Sequence, residues 1–195
     1  QVGSGARVVA TSRHQAQGAL EQTGNPLDVA IEGNGFLVVT REDGTQAFTR
    51  AGTLKVASDG RLVTSDGLPL EPPITIPADA TEVAIGADGR VSTVTAGQTK
   101  PTELGRIEIA TFVNPAGLNA YGHNLYLPSP SSGDPAIGDA GTEGRGTLLQ
   151  GATEGSNVEV VDEMIALIRT QRAYEINSKV VTAADEMLRS ATQMR

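Results

Sequence analysis

The chain has 195 residues, a net charge of −8, 38% apolar and 3% aromatic side chains, and neither cysteine nor tryptophan. That balance offers no basic face to a nucleic-acid backbone or to anionic lipid, and the missing cysteine excludes disulfides, thiol catalysis and Cys-ligated zinc. No run approaches the roughly 18 apolar residues of a membrane span, so no membrane insertion is expected, and 23 Gly with 10 Pro point to short strands and many turns.

Residues 1–24 read as an extended connecting segment, with an apolar and polar alternation over Ala6 to Ala10 and a polar stretch through Gln22. Gln1 to Gly5 is neither a signal peptide nor an initiator start, so the chain is expected to lack its natural N-terminus. Asn25-Pro26 opens a β-rich body over residues 25–130. Leu27 to Ile31 alternates as a strand, Gly33-Asn34-Gly35 turns, and Phe36 to Thr40 is the next strand.

Four Asp-Gly pairs follow, Asp43-Gly44, Asp59-Gly60, Asp66-Gly67 and Asp88-Gly89. Each tolerates positive φ and signals a hairpin between strand-like runs. Those runs are Gln46–Thr49, Thr53–Val56, Leu62–Thr64, Glu82–Ile85 and Arg90–Thr95. The stretches Ser58 to Val63 and Ala87 to Ser92 look alike, which reads as shared turn chemistry rather than a repeat. Pro69, Pro72, Pro73 and Pro77 break regular pairing and mark a link between strand groups. Leu104 to Val113 reads as one strand, Asn114 to Leu118 as a turn, and Tyr121 to Leu127 as an extended piece. Residues 131–155 read as loop and connector, with Pro128 to Gly146 rich in Ser, Gly, Pro and Asp.

Residues 156–195 read as one helix of about 55–60 Å. Ser156-Asn157-Val158-Glu159 has the form of a capping box. Val158, Val161, Ile165, Ile168, Ile176, Val180, Met187, Ala191 and Met194 recur at helical spacing. Gln171 and Arg172 interrupt that stripe, as polar groups that set register do in a helix seam. Glu159, Asp162 and Glu163 come early and Arg169, Arg172 and Lys179 later, an order that suits the helix dipole. A helix this long gains its stability from packing. The chain has no second helix to match it, so the stripe is expected to pack on other copies or partners.

Chemistry finds little support. His14 and His123 lie in no ligand-spaced cluster, and the Asp-Gly turns do not fit a calcium loop. Gly141 to Gly146 lacks the Lys-Ser/Thr ending of a phosphate loop, and no serine sits in a nucleophile elbow. No catalytic, cofactor or metal site is expected. The fold class is mainly β with a long C-terminal α-helix, an antiparallel β domain inserted between extended or helical terminal segments.

Four stretches then become specific: Thr23 to Phe36 (TGNPLDVAIEGNGF), Phe48-Thr49-Arg50-Ala51-Gly52, Glu154-Gly155-Ser156-Asn157-Val158, and Gln171-Arg172-Ala173-Tyr174-Glu175-Ile176-Asn177-Ser178-Lys179. The chain resembles the axial proteins of the bacterial flagellum over nearly its whole length. The first three stretches are those of rod and hook proteins alike, and the last, with Tyr174, is similar to distal rod members. The resemblance implies a structural subunit of the distal rod, exported without a cleaved signal and polymerising helically into a tubular drive shaft across the periplasm. Its implied partners are further copies, neighbouring rod and hook proteins, and the surrounding rings. It also implies a helix ahead of Gln1 that pairs with the C-terminal one. A hook or proximal-rod subunit is the alternative within the family, and a secreted β binding module with a helical oligomerisation tail the alternative outside it.

Overall fold

The computed structural model describes residues 7, 14–97 and 100–193, with backbone alone for 188 and 191–193. Apart from Arg7, the alternation expected over Ala6 to Ala10 falls outside the described residues, as does Met194. Two units result, a β body ending at Ser156 and a helical unit beginning at Asn157.

The body opens with β1 (Leu20–Gln22), β2 (Val29–Glu32), β3 (Phe36–Thr40), β4 (Gln46–Thr49), β5 (Leu54–Val56) and β6 (Leu62–Thr64). Next come β7 (Ala80–Ile85), β8 (Arg90–Thr95), β9 (Thr102–Arg106) and β10 (Glu108–Thr111). After a 3-10 turn at Pro115–Gly117 follow β11 (Asn119–Gly122), β12 (Leu125–Leu127), β13 (Ala136–Asp139), β14 (Thr147–Gln150) and β15 (Ala152–Glu154). All pairings among these strands are antiparallel. The main sheet has the order β11-β12-β4-β3-β10-β13, and a second is β7-β8-β9. The pairs β5-β6, β14-β2 and β1-β15 complete the body. The mainly β architecture with one long terminal helix is the one expected.

The Asp-Gly pairs explain why the chain doubles back so often. Gly44, Gly60, Gly67 and Gly89 all take φ between 78° and 85°. In each turn the glycine N–H donates to a carbonyl three residues back, Arg41, Ala57, Thr64 and Gly86 respectively. This is a tight turn closed by a left-handed residue. The aspartates add a second lock: Oδ1 of Asp43, Asp59 and Asp88 accepts from the backbone N–H of Thr45, Arg61 and Arg90. The likeness of the two hexapeptides extends past the turn, because Gly60 O accepts from Ile76 N–H and Gly89 O from Ile107 N–H, both at 2.8 Å.

Bonds from Thr45 lower the Asp43 pKa, and bonds from Arg61 lower that of Asp59. A carboxyl with a depressed folded-state pKa stabilises above its unfolded value and stops doing so as pH falls through the folded one. Asp43→Asn and Asp59→Asn should therefore destabilise the body at neutral pH. The gap to wild type should close on acidification below the ordinary carboxylate range, as read by urea denaturation at a series of pH values.

The main sheet is covered on both faces because β3 is apolar at every position but its last. Leu37 and Val39 face the larger core with Val29, Ile31, Leu54, Leu62, Ile74, Val91, Ile107 and Ile109. Phe36 and Val38 face a smaller core with Phe48, Ala110, Phe112, Leu118 and Tyr126. The few aromatics are thus concentrated, with the Phe48 and Phe112 rings edge to face at 4.9 Å.

Several elements differ from expectation. Leu104 to Val113 is not one strand: Ile107 turns into the core to donate to Gly89 O, and the chain changes sheets there. Tyr121 to Leu127 is a hairpin, turning at His123 and Asn124 with φ of 50° and 57°. Residues 131–155 are more than a connector, since they supply β13, β14 and β15. Their partners, β10, β2 and β1, are all distant in sequence. Arg145 folds across Gly138, where a Cβ would lie 2.2 Å from its Nη2, and Arg106 pairs with Asp139.

The helix α1 runs Val160–Gln193, four residues later than expected. Glu163 N–H donates to Glu159 O at 3.1 Å, and Ser156 to Glu159, read as the first turn, precede the helix.

Candidate assembly surface and the junction of the motifs

Thirty-four residues without Gly or Pro make α1 continuous, and Asp162 and Glu163 in its first turn suit the dipole. Its last turn carries no basic residue, so Arg169, Arg172 and Lys179 lie too far inward to answer the C-terminal end. Val161, Ile165, Ile168, Ile176, Val180 and Met187 share one side at about 100° per residue. All are exposed, Ile165 by 42% and Ile168 by 49%. Arg172 lies on this side too, while Gln171 stands at its margin and Val158 ahead of the helix. The side chain of Ala191 lies outside those described.

Tyr174 does not belong to this stripe. It projects about 180° away, among Val160, Met164, Leu167 and Val181, and is 77% exposed. The second face was missed because only one stripe was traced. Its signal is the seven-residue interval Val160, Leu167, Tyr174, Val181. A helix apolar on opposite sides is suited to burial between neighbours rather than against one.

In the body, three of the specific stretches meet. Thr23 Oγ1 donates to Asp28 Oδ2 at 2.6 Å and Asn25 Nδ2 to Asp28 Oδ1 at 3.1 Å, which satisfies a buried carboxylate. Gly52 lies against β2, where a Cβ would stand 1.6 Å from Val29 O. Arg50, just after β4, donates from Nε to Glu154 Oε2 at 2.7 Å. Its Nη1 reaches Gly33 O at 3.2 Å and Gly35 O at 3.1 Å, and Nη2 reaches Gly33 O at 3.2 Å. Those carbonyls converge because Gly33 and Gly35 hold φ of 109° and 138°, a region favouring glycine. Glu154 Oε1 accepts from Gly18 N–H at 2.9 Å. Isolated charges carry no periodicity, so the Arg50–Glu154 pair was not legible as a pair.

His14 is exposed, and His123 sits on a turn with Nδ1 3.9 Å from Asp66. Among the described residues no group of His, Asp and Glu has metal-site geometry. An open groove of about 720 Å³ is lined by Leu27, Val56, Ile76 and Val83 beside Asp59 and Glu82. The Asp59 carboxylate there is committed to Arg61. No described helix is long and apolar enough to cross a membrane.

Residues 30–93 match the model of the flagellar hook protein FlgE/F/G D1 domain, and residues 149–194 that of the flagellar basal body rod FlgEFG protein C-terminal region. The chain is 44% identical over 194 residues to the flagellar basal-body rod protein FlgG of Buchnera aphidicola subsp. Acyrthosiphon pisum, covering all of this chain and 75% of that one. To FlgG of Bacillus subtilis it is 38% identical over 200 residues, again 100% of this chain and 75% of that one. Identity to the basal-body rod protein FlgF of Salmonella typhimurium is 32% over 190 residues, 91% of this chain and 71% of that one. The matched regions run from within β2 into β8 and from within β14 through β15 and α1, and on this agreement, with the full-length identity to FlgG relatives, the chain belongs to the flagellar rod and hook axial proteins, as a basal-body rod protein of the FlgG type.

Proposed function

We propose that α1 is the polymerisation element of a distal rod subunit and that the β body is held on the resulting tube. A structural role in the flagellar rod follows from the family; the finer assignment rests on one observation, the apolar side chains exposed on two opposite faces of α1. Isolated in water such a helix is marginal, because its stability comes from packing. Helical polymerisation supplies neighbours on both sides, and a closed tube leaves neither stripe exposed. Val161, Ile165, Ile168, Ile176, Val180, Met187 and Ala191 contact one neighbour in this reading, with Arg172 and Gln171 setting register. Val160, Leu167, Tyr174 and Val181 contact another. Copies of this chain, adjoining axial proteins and the surrounding rings are the partners. The subunit works as part of a torque-carrying shaft in the periplasm, reached without a cleaved signal, and has no catalytic role.

Electron microscopy of the protein with its natural terminal segments should show straight tubular polymers. Truncation after Ser156 should abolish them while the β circular dichroism signal of the body persists. Persistence of small soluble oligomers in both proteins would instead support the binding module with an oligomerisation tail. A hook or proximal-rod position is not favoured by the higher identity to FlgG than to FlgF relatives.

A further inference from the structure

We propose that Glu154 and Arg50 form a mechanical tie through which force on the terminal segments enters the β body. The inference rests on the reading of the chain as a torque-carrying rod subunit.

The geometry starts from the pairing of β1 with β15, in which Leu20 stands opposite Glu154. Gly155 N–H donates to Ala19 O at 2.7 Å, so the chain enters and leaves this pair at the same end. Tension on either terminal segment therefore acts first on that end. A two-stranded ladder pulled there opens one bond at a time, and each neutral bond contributes only modestly. Resistance then depends on what holds the first residue pair.

Glu154 is that residue. One carboxylate oxygen takes Gly18 N–H from the entering strand, and the other takes Arg50 Nε from the core side. Both side chains are largely buried, 10% and 17% exposed. Arg50 spends its other donors on Gly33 O and Gly35 O, in the loop that leads into β3. The entering segment hooks to the end of β2 and to the same loop, since Gln17 Nε2 donates to Ile31 O and Gln17 Oε1 accepts from Gly33 N–H, both at 3.1 Å. Displacing Glu154 thus drags a guanidinium against carbonyls fixed beside the central strands. Charge-assisted bonds are roughly twice as strong as neutral ones. Only Arg supplies a planar fork for this set; the Lys ammonium is a point charge on a flexible stem. A buried pair is weak grounds for stability alone, because packed apolar residues would serve as well. Its value here is connection.

The test uses the full-length subunit, held by its two ends in optical tweezers, as wild type, Glu154→Gln and Arg50→Lys. Both single variants should lower the force of the first opening step and leave the later opening of the body unchanged. Amide exchange at Gly18 and Gly155 should rise about 10- to 100-fold in Glu154→Gln, with Val38 and Ile109 unaffected. Unchanged first-step force and unchanged Gly155 exchange in Glu154→Gln would overturn the tie. So would collapse of the later step in both single variants, which would make the pair a support of the fold itself. Polymer yield without load, measured by sedimentation, reads the underlying assignment separately: a wild type that never polymerises defeats the rod reading whatever the tweezers show.

Discussion

Ile168→Asp and Leu167→Asp are each expected to abolish polymerisation and leave the β body folded. The two residues are neighbours in sequence yet lie on different sides of α1, 49% and 57% exposed in the single chain. If the helix is enclosed by neighbours, each site is buried in the polymer, and an unpaired buried carboxylate costs about 3–5 kcal/mol. That cost recurs in every subunit, so even the lower figure is sufficient to empty the sedimenting fraction. Glu42→Gln, on the exposed β3–β4 turn, is the control that should polymerise as wild type. Loss with Ile168→Asp alone would reduce the contact to one face. Wild-type yield from both aspartate variants would remove α1 from the assembly surface.

Gly52→Ala is expected to be among the most damaging single-methyl changes in the body. Its Cβ would stand 1.6 Å from Val29 O and 2.7 Å from the carbonyl carbon, both fixed backbone atoms. Val29 is fully buried, and its N–H donates to Gly52 O at 2.9 Å. Relief requires separating the two segments, which breaks that bond and shifts β2 within the larger core. A loss of about 4 kcal/mol or more is expected, in the range reserved for a named structural failure. Gly67→Ala is the informative comparison. Gly67 has φ of 85° but open space around it, so only the left-handed backbone is penalised, by about 1–2 kcal/mol. Urea midpoints of the two variants should differ accordingly, and equal midpoints would mean that the close approach at Gly52 relaxes freely.

The hairpins were legible in the sequence because their determinants are local. Asp-Gly fixes a turn within four residues, and β3, β4, β6 and β8 lie where the flanking runs place them. Pairings over long separations were not. Nothing near Leu20 announces that it will meet Glu154, and Thr147 to Glu154 reads as a connector until β2 and β1 are placed beside it. Ile107 illustrates a tertiary override: the run Leu104 to Val113 has strand character throughout, yet a bond to Gly89 divides it. On the helix, the stripe through Ile168 was legible by spacing, and the opposite face with Tyr174 was not, because one face was traced where there are two. The motif carrying Arg50 identified the family, but its physical purpose appears only when Gly33, Gly35 and Glu154 are seen around the guanidinium.

Because Leu20 and Glu154 are partners across one ladder, everything from β2 to β14 is topologically an excursion that leaves and returns to a single point. Such an excursion can change in length or content without altering the distance between the segments that flank it. The lattice of a polymer built on those flanking segments is then insulated from whatever the excursion contains. A foreign domain whose own ends lie close together could be spliced between Gln22 and Ala152 while the subunit still takes its place in the shaft.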